Sequence, residues 1–203
     1  TAQARVLEGY RPQRAHHAAQ EGVWRAWQGA GLRRWGWVVL ALLGLQVALG
    51  GWVSTNYAVL ACTTFPTCQG SWWPEMDLRH GFALWRDLGI AHTGDALPFA
   101  ALTAIHYVHR LSAYVVFIAL GWLAWRLWAA RDTRPTARWI VALALWQFLS
   151  GLSNVVLDWP LVAAVAHTGG AAGLVVVLTG AIFGTRTAYD TVSASKFNIS
   201  RLT

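Results

Sequence analysis

Four long apolar stretches, separated by polar segments, dominate the pattern along the chain. They cover residues 35–53, 99–127, 139–157 and 161–183. Each is close to or above the roughly 20 residues that an α-helix needs to cross a bilayer. The first follows a polar lead too long for a secretory signal peptide, so we expect it to stay in the membrane. The pattern predicts an all-α integral membrane protein, built as a four-transmembrane-helix bundle.

The first and third stretches share a short motif, which predicts that the bundle is made of two repeated helical hairpins. Gln46 precedes Gly50 and Gln147 precedes Gly151 at the same spacing, and the next stretch contains a histidine in both cases. The glycines allow neighbouring helices to approach closely in lipid. Two roles remain open for the glutamines, either hydrogen bonding between helices or lining a cofactor.

The segments outside the apolar stretches divide the chain further. Residues 1–34 are predicted to be a cytoplasmic N-terminal tail or inter-repeat linker, residues 35–185 the membrane domain, and residues 186–203 a cytoplasmic tail. The two hairpins differ in their connections, because residues 57–98 form a long loop whereas residues 158–160 form a tight turn. Within the long loop, residues 76–89 are expected to form a short amphipathic helix. The tryptophans of the long loop suit either an interfacial belt or a lid over a site. They are Trp72, Trp73 and Trp85.

Composition agrees with a membrane protein, and the charge distribution orients it. Hydrophobic residues make up 56% of the chain and charged residues only 12%, which excludes an ordinary soluble domain. A net charge of +7 could suggest nucleic acid, but the basic residues do not cluster on one face, so we expect membrane lipid and no nucleic acid as a partner.

The basic residues flank the apolar stretches on one side of the membrane. By the positive-inside rule, both termini and the second connection are predicted to be cytoplasmic, and the 57–98 loop and the 158–160 turn outer. The basic residues on the predicted cytoplasmic side are Arg5, Arg11, Arg14, Arg25, Arg33, Arg34, Arg126, Arg131, Arg134, Arg138, Arg186, Lys196 and Arg201.

The only two cysteines, Cys62 and Cys68, lie in the predicted outer loop. An oxidising compartment would permit a disulfide between them, with two free thiols as the alternative. A zinc site is not expected, because no second Cys or His pair lies nearby at ligand spacing.

Two histidines inside apolar stretches provide the chemistry. Small residues follow each one helical turn later, Ser112 and Ala113 after His109, Gly170 and Ala171 after His167. Residues at these spacings share one helix face, so each imidazole would stand beside a flat wall. From the predicted helix starts, His109 lies about 12 Å and His167 about 9 Å deep. Two imidazoles at one depth predict a haem iron held between two helices.

His106 and Arg110 lie close to the predicted ligand. His106 competes with His109 because it is one turn nearer the outer side, but Arg110 at its i+4 position would be a poor wall for a porphyrin. His106 would then touch a substrate, a propionate or the loop. A guanidinium at this depth needs a partner, and we consider a haem propionate, Asp158 or an acid of the long loop.

These residues resemble the C-terminal four-helix half of the heme A synthase family. The resemblance covers about residues 44–172. It rests on Gln46, Gly50 and Asn56; on Cys62, Phe65, Pro66, Cys68, Trp72, Trp73 and Pro74; on Trp85, Arg86 and Gly89; on Ala101, His106, His109 and Arg110; and on Gly151, Ser153, Asn154, Ala166 and His167.

The resemblance implies a function and a setting. It implies that His109 and His167 are the axial ligands of heme b, that Cys62 and Cys68 form a disulfide, and that the enzyme oxidises a methyl group of heme O to a formyl group. It also implies an N-terminal four-helix half or partner subunit, heme O synthase and cytochrome oxidase assembly factors as partners, and a multi-pass position in the bacterial inner (plasma) membrane. A stand-alone cytochrome b-like electron carrier and a non-enzymatic haem-chaperone or assembly subunit are the alternatives.

Overall fold

Four long helices form the protein in a computed structural model, which describes residues 31–91 and 94–199, with side chains as far as Phe183. They are α1 (Leu32–Thr55), α2 (Phe99–Trp128), α3 (Arg134–Val156) and α4 (Leu161–Ile199). Each contains a segment long and apolar enough to cross a membrane, and in α4 this segment ends at Phe183. The predicted four-helix membrane bundle is therefore confirmed.

The helices pack in chain order around a ring. Each helix contacts the next, and α4 returns to pack against α1. The short connections from α2 to α3 and from α3 to α4 make the helices of each pair antiparallel. As a result α2 and α4 run parallel and lie diagonally across the bundle, one from each hairpin.

Two apolar clusters fill the bundle. The larger contains buried side chains from all four helices, such as Leu43, Leu123, Ile140 and Leu178. The smaller lies at the opposite end, beneath the long loop, where Val53, Ala58, Leu97, Ala101 and Ile105 are packed together. Polar side chains lie at the level between the two clusters, among them His109 and the buried Gln147 and Ser150.

The long loop is folded onto the α1–α2 hairpin. The Trp52 indole donates to the carbonyl oxygen of Gly81 at 2.9 Å, and the Asn56 carboxamide oxygen accepts from the Gly89 amide at 3.2 Å. Asn56 is fully buried, so the loop closes over the end of α1.

The expected amphipathic helix over residues 76–89 is wrong. Helix is confined to the single turn Leu78–Gly81, which Asp77 caps by accepting from the His80 amide at 3.0 Å. The same hydrogen bond holds the pKa of Asp77 below its ordinary value. Beyond this turn Gly89 adopts φ of 75°; its carbonyl accepts from the Leu97 amide at 3.1 Å within the loop, while its amide bonds to Asn56.

Trp72, Trp73 and Trp85 are all exposed, at 69%, 73% and 90%. Large exposed indoles suit the interfacial belt, one of the two roles considered for them.

Candidate functional site

His109 projects from α2 toward α1, at the level between the two apolar clusters. The Gln46 side-chain nitrogen lies 3.1 Å from His109 Nδ1 and donates to the His109 backbone oxygen, also at 3.1 Å. Gly50, one turn further along α1, faces the same ring: a Cβ placed there would lie 3.1 Å from His109 Cε1. The glycine therefore leaves the space that the imidazole occupies.

His167 has the matching environment in the second hairpin. The Gln147 side-chain nitrogen donates to the His167 backbone oxygen at 2.7 Å, and a Cβ on Gly151 would lie 3.1 Å from His167 Cε1. The repeat seen in the sequence is thus a repeat of structure, in which a Gln-to-carbonyl hydrogen bond and a glycine position each histidine. The glutamines bond between helices, which was one of their two predicted roles.

One contact breaks this symmetry. The Ser150 hydroxyl lies 3.0 Å from His167 Nδ1, and in the first hairpin the residue at the equivalent position before the glycine is Leu49. Ser150 is buried. Ser150 lies inside the repeated motif, but no role was predicted for it.

Gly170 has a different role from the one predicted. A Cβ on Gly170 would lie 2.4 Å from the Gln147 side-chain nitrogen and 2.5 Å from Trp146 Cδ1. Gly170 therefore allows the close crossing of α3 and α4 and does not leave an open wall beside His167. The glycines that flank the imidazoles come from the neighbouring helix of each hairpin.

The two histidines lie on α2 and α4, which are diagonal to each other in the bundle. The helices that carry them belong to different hairpins. Among the residues that the structure describes, no group of three or more His, Cys, Asp or Glu side chains could hold a metal ion. A pair of imidazoles suits a metal that brings its own equatorial ligands, as haem iron does.

His106 and Arg110 belong to a polar stripe on α2 that binds the long loop. The stripe consists of Thr103, His106, Tyr107 and Arg110, at helical positions i, i+3, i+4 and i+7. The Gln69 side chain donates to Thr103 at 2.7 Å, His106 Nδ1 donates to the Ala58 carbonyl at 3.0 Å, and the Tyr107 hydroxyl donates to the Trp72 carbonyl at 2.5 Å. Thr103 and Tyr107 were not predicted as functional residues, although their helical spacing with His106 and Arg110 places all four on one face of α2.

Arg110 contacts neither Asp158 nor an acid of the long loop, two of the three partners considered for it. The residue is 8% exposed, and its guanidinium donates to three backbone carbonyls, those of Cys62 at 2.5 Å, Thr64 at 2.7 Å and Thr67 at 3.1 Å. Asp158 lies in the turn of the other hairpin. The desolvation cost of the buried guanidinium is offset by these charge-assisted hydrogen bonds.

The three carbonyls bound by Arg110 belong to a small disulfide loop. Cys62 and Cys68 are bonded to each other, with Cα atoms 4.7 Å apart, and both are buried. Arg110 is adjacent in sequence to His109, so the disulfide loop is attached to α2 directly beside the candidate ligand.

A groove of about 250 Å³ between α2 and α3 is a separate feature. Apolar side chains line it, among them Phe117, Ile140 and Phe148. Because it offers no hydrogen-bonding or ligating group, we do not assign the site to it.

Four helices long and apolar enough to cross a membrane, two of which carry a histidine in their interior, define the class of multi-pass membrane proteins. The family model of the cytochrome oxidase assembly protein COX15-CtaA matches residues 9–179. The chain belongs to this family.

Curated relatives support the same assignment. A heme A synthase from Shewanella oneidensis is 36% identical over 140 residues, covering 69% of this chain and 42% of the relative. One from Rhodospirillum centenum is 30% identical over 157 residues, covering 76% and 38%, and one from Chelativorans sp. is 30% identical over 162 residues, covering 78% and 42%. The chain thus spans about two-fifths of the length of these relatives. No solved structure matches it.

Proposed function

We propose that this chain is the haem-b-binding half of a heme A synthase, the enzyme that oxidises a methyl group of heme O to a formyl group. The proposal assigns the b-type haem to His109 and His167. It places a second set of membrane helices, in the same polypeptide or in a partner subunit, around the substrate.

The matching environments of His109 and His167 carry this proposal. Each hairpin supplies one histidine. A glutamine on the neighbouring helix donates a hydrogen bond to the backbone carbonyl of that histidine, and a glycine on the same helix lies beside its ring. These histidines lie on diagonal, parallel helices, an arrangement from which one imidazole could reach each side of a haem iron. The interruption of the apolar core at this level supports the same assignment.

The residues also fit the chemistry of the group. A haem with an imidazole on each side supplies one-electron transfer. The role of this half is then to hold that group between apolar layers, where water is excluded, and to keep the disulfide loop attached above it through Arg110. Converting the methyl to a formyl group removes four electrons and adds an oxygen atom, so we place that chemistry at the remaining helices.

The ligand assignment is tested by three single substitutions in the purified protein. Wild type should show the spectrum of a low-spin haem. His109→Ala and His167→Ala should each leave a five-coordinate or empty site, because the opposite helix offers no second imidazole. His106→Ala should keep the low-spin spectrum, because His106 Nδ1 is bonded to the Ala58 carbonyl in the loop.

Two outcomes contradict the assignment. If His109→Ala keeps a normal low-spin spectrum while His106→Ala loses it, the ligand on α2 is His106. If neither His109→Ala nor His167→Ala alters the bound haem, the histidines serve only as contacts between helices.

The pigments extracted from membranes separate the proposed function from its alternatives. Heme O or heme A bound alongside one heme b supports the synthase. One heme b alone would instead indicate a cytochrome b-like carrier, and substoichiometric haem would indicate a chaperone or assembly subunit.

A further inference from the structure

We infer that Ser150 is a positioning residue, which sets the tautomer of His167 so that its Nε2 is free to bind iron. This inference rests on the proposed function. It adds that the two histidines are not equally prepared to bind iron. The argument starts from the single hydrogen of the Ser150 hydroxyl.

That hydrogen is already used within α3. The Ser150 hydroxyl donates to the Trp146 carbonyl, one turn back, at 2.7 Å. Towards His167 Nδ1, 3.0 Å away, the oxygen can therefore only accept. Nδ1 must carry the proton of the neutral imidazole, and Nε2 is left with a free lone pair.

His109 is in a different situation. The Gln46 amide nitrogen donates to the His109 backbone oxygen at 3.1 Å and lies 3.1 Å from Nδ1 and 3.4 Å from Nε2, so it contacts both ring nitrogens. Reversing the amide would place its oxygen against the backbone oxygen, so the donor orientation is fixed. Either ring nitrogen of His109 can accept the second hydrogen, so this contact does not set the tautomer, and it occupies the ring nitrogens that would bind a metal.

The two ligands are therefore prepared unequally. His167 is ready to bind, whereas His109 can do so only after the Gln46 nitrogen moves away from its imidazole ring. The Gln46 carboxamide oxygen is buried without a hydrogen-bond partner in the structure, so once the Gln46 side chain turns, that oxygen can accept from Nδ1 of His109. On this view His167 binds first and His109 completes the pair.

The first experiment removes the Ser150 hydroxyl in the purified protein. A hydrogen bond from Nδ1 to an acceptor makes the imidazole a stronger donor to ferric iron, and such partners typically change metal affinity by about tenfold to a hundredfold. Ser150→Ala should weaken ferric haem binding by about this factor and raise the haem midpoint potential. Ser150→Thr should restore both values.

Ser153→Ala is the matched control, because Ser153 donates only to the Ser150 carbonyl at 2.8 Å. It should leave affinity and potential at wild-type values. The inference is overturned if Ser150→Ala leaves both unchanged or if Ser153→Ala changes them equally.

A second experiment does not depend on how well Ser150→Ala folds alone. In His167→Gly, free imidazole can occupy the vacated position and donate to Ser150, whereas 1-methylimidazole cannot donate. Imidazole should bind the haem about threefold to tenfold more tightly, the value of one hydrogen bond. This preference should vanish in the His167→Gly/Ser150→Ala double variant, and its persistence there refutes the inference.

The outcomes distinguish this inference from the proposed function. If His167→Ala abolishes the low-spin haem but Ser150→Ala changes nothing, the axial pair stands and the role of Ser150 falls. If His167→Ala keeps the low-spin haem, both fall.

Discussion

Gly170 is the residue on which the closest approach of α3 and α4 depends. Gly170→Ala should destabilise the protein by about 1–3 kcal/mol, as overpacking of a well-filled site does, because the new methyl would lie 2.4 Å from the Gln147 nitrogen. Thermal unfolding in detergent measures this change.

Gly169→Ala is the control for that measurement. No atom lies within 4 Å of a Cβ placed at Gly169, and alanine favours helix more than glycine does. Its melting temperature should therefore equal or exceed that of wild type. Equal losses in both variants would mean that helix flexibility, and not the α3–α4 crossing, explains the effect.

Some residues of the candidate site could be predicted from the sequence and others could not. His109 and His167 stand out because a titratable residue is rare in an apolar stretch. Their neighbours were harder, because spacing along one helix identifies residues on the same face and says nothing about the opposite helix. For that reason Gly50 and Gly151 could be recognised as close-packing residues but not as the flanks of the imidazoles.

At the level of elements, the polar stripe of α2 attaches the long loop. Arg110→Met should release the disulfide loop, because the carbonyls of Cys62, Thr64 and Thr67 lose their donor. A hydrogen bond to a charged group contributes roughly 1.5–3 kcal/mol, so we expect the disulfide to be reduced at least about tenfold faster. Thiol release under a fixed concentration of reductant measures the rate.

The exposed Arg79 provides a substitution of the same type in the same loop. Arg79→Met should leave the reduction rate unchanged. A rate for Arg110→Met that matches it would show that the loop is held by other contacts, such as those of Tyr107 and Gln69.

The long loop was the element that the sequence described least well. The length of the loop and its two cysteines are evident in the sequence. The amphipathic helix, however, was predicted from the pattern of side chains alone, and it was wrong. The loop backbone bonds to α1 and α2, and such partners are visible only once the hairpin has formed. The helices themselves were predictable, because in lipid each must satisfy its own backbone.

For the whole molecule, the charge distribution predicts which ends of the bundle face the cytoplasm. An impermeant maleimide should label Cys62 and Cys68 in intact cells only after reduction, because the two are joined and are expected to face outward. Labelling without reductant would argue against the bond in cells, and labelling only after the inner membrane is opened would reverse the topology.

Ala129→Cys in a background without Cys62 and Cys68 provides the opposite marker. Ala129 is exposed in the connection between α2 and α3, on the predicted cytoplasmic side. It should react only after permeabilisation.

The diagonal position of the two histidines has a consequence for assembly. Each hairpin holds only one ligand, so neither can grip a cofactor from both sides until the two have docked. A group bound to both histidines then links the two hairpins. It stabilises the docked state by mass action, and the stabilisation increases with the affinity of the group. Folding of the membrane domain and binding of its cofactor would thus be coupled. Without the cofactor, we expect the two hairpins to separate from each other while each hairpin stays folded.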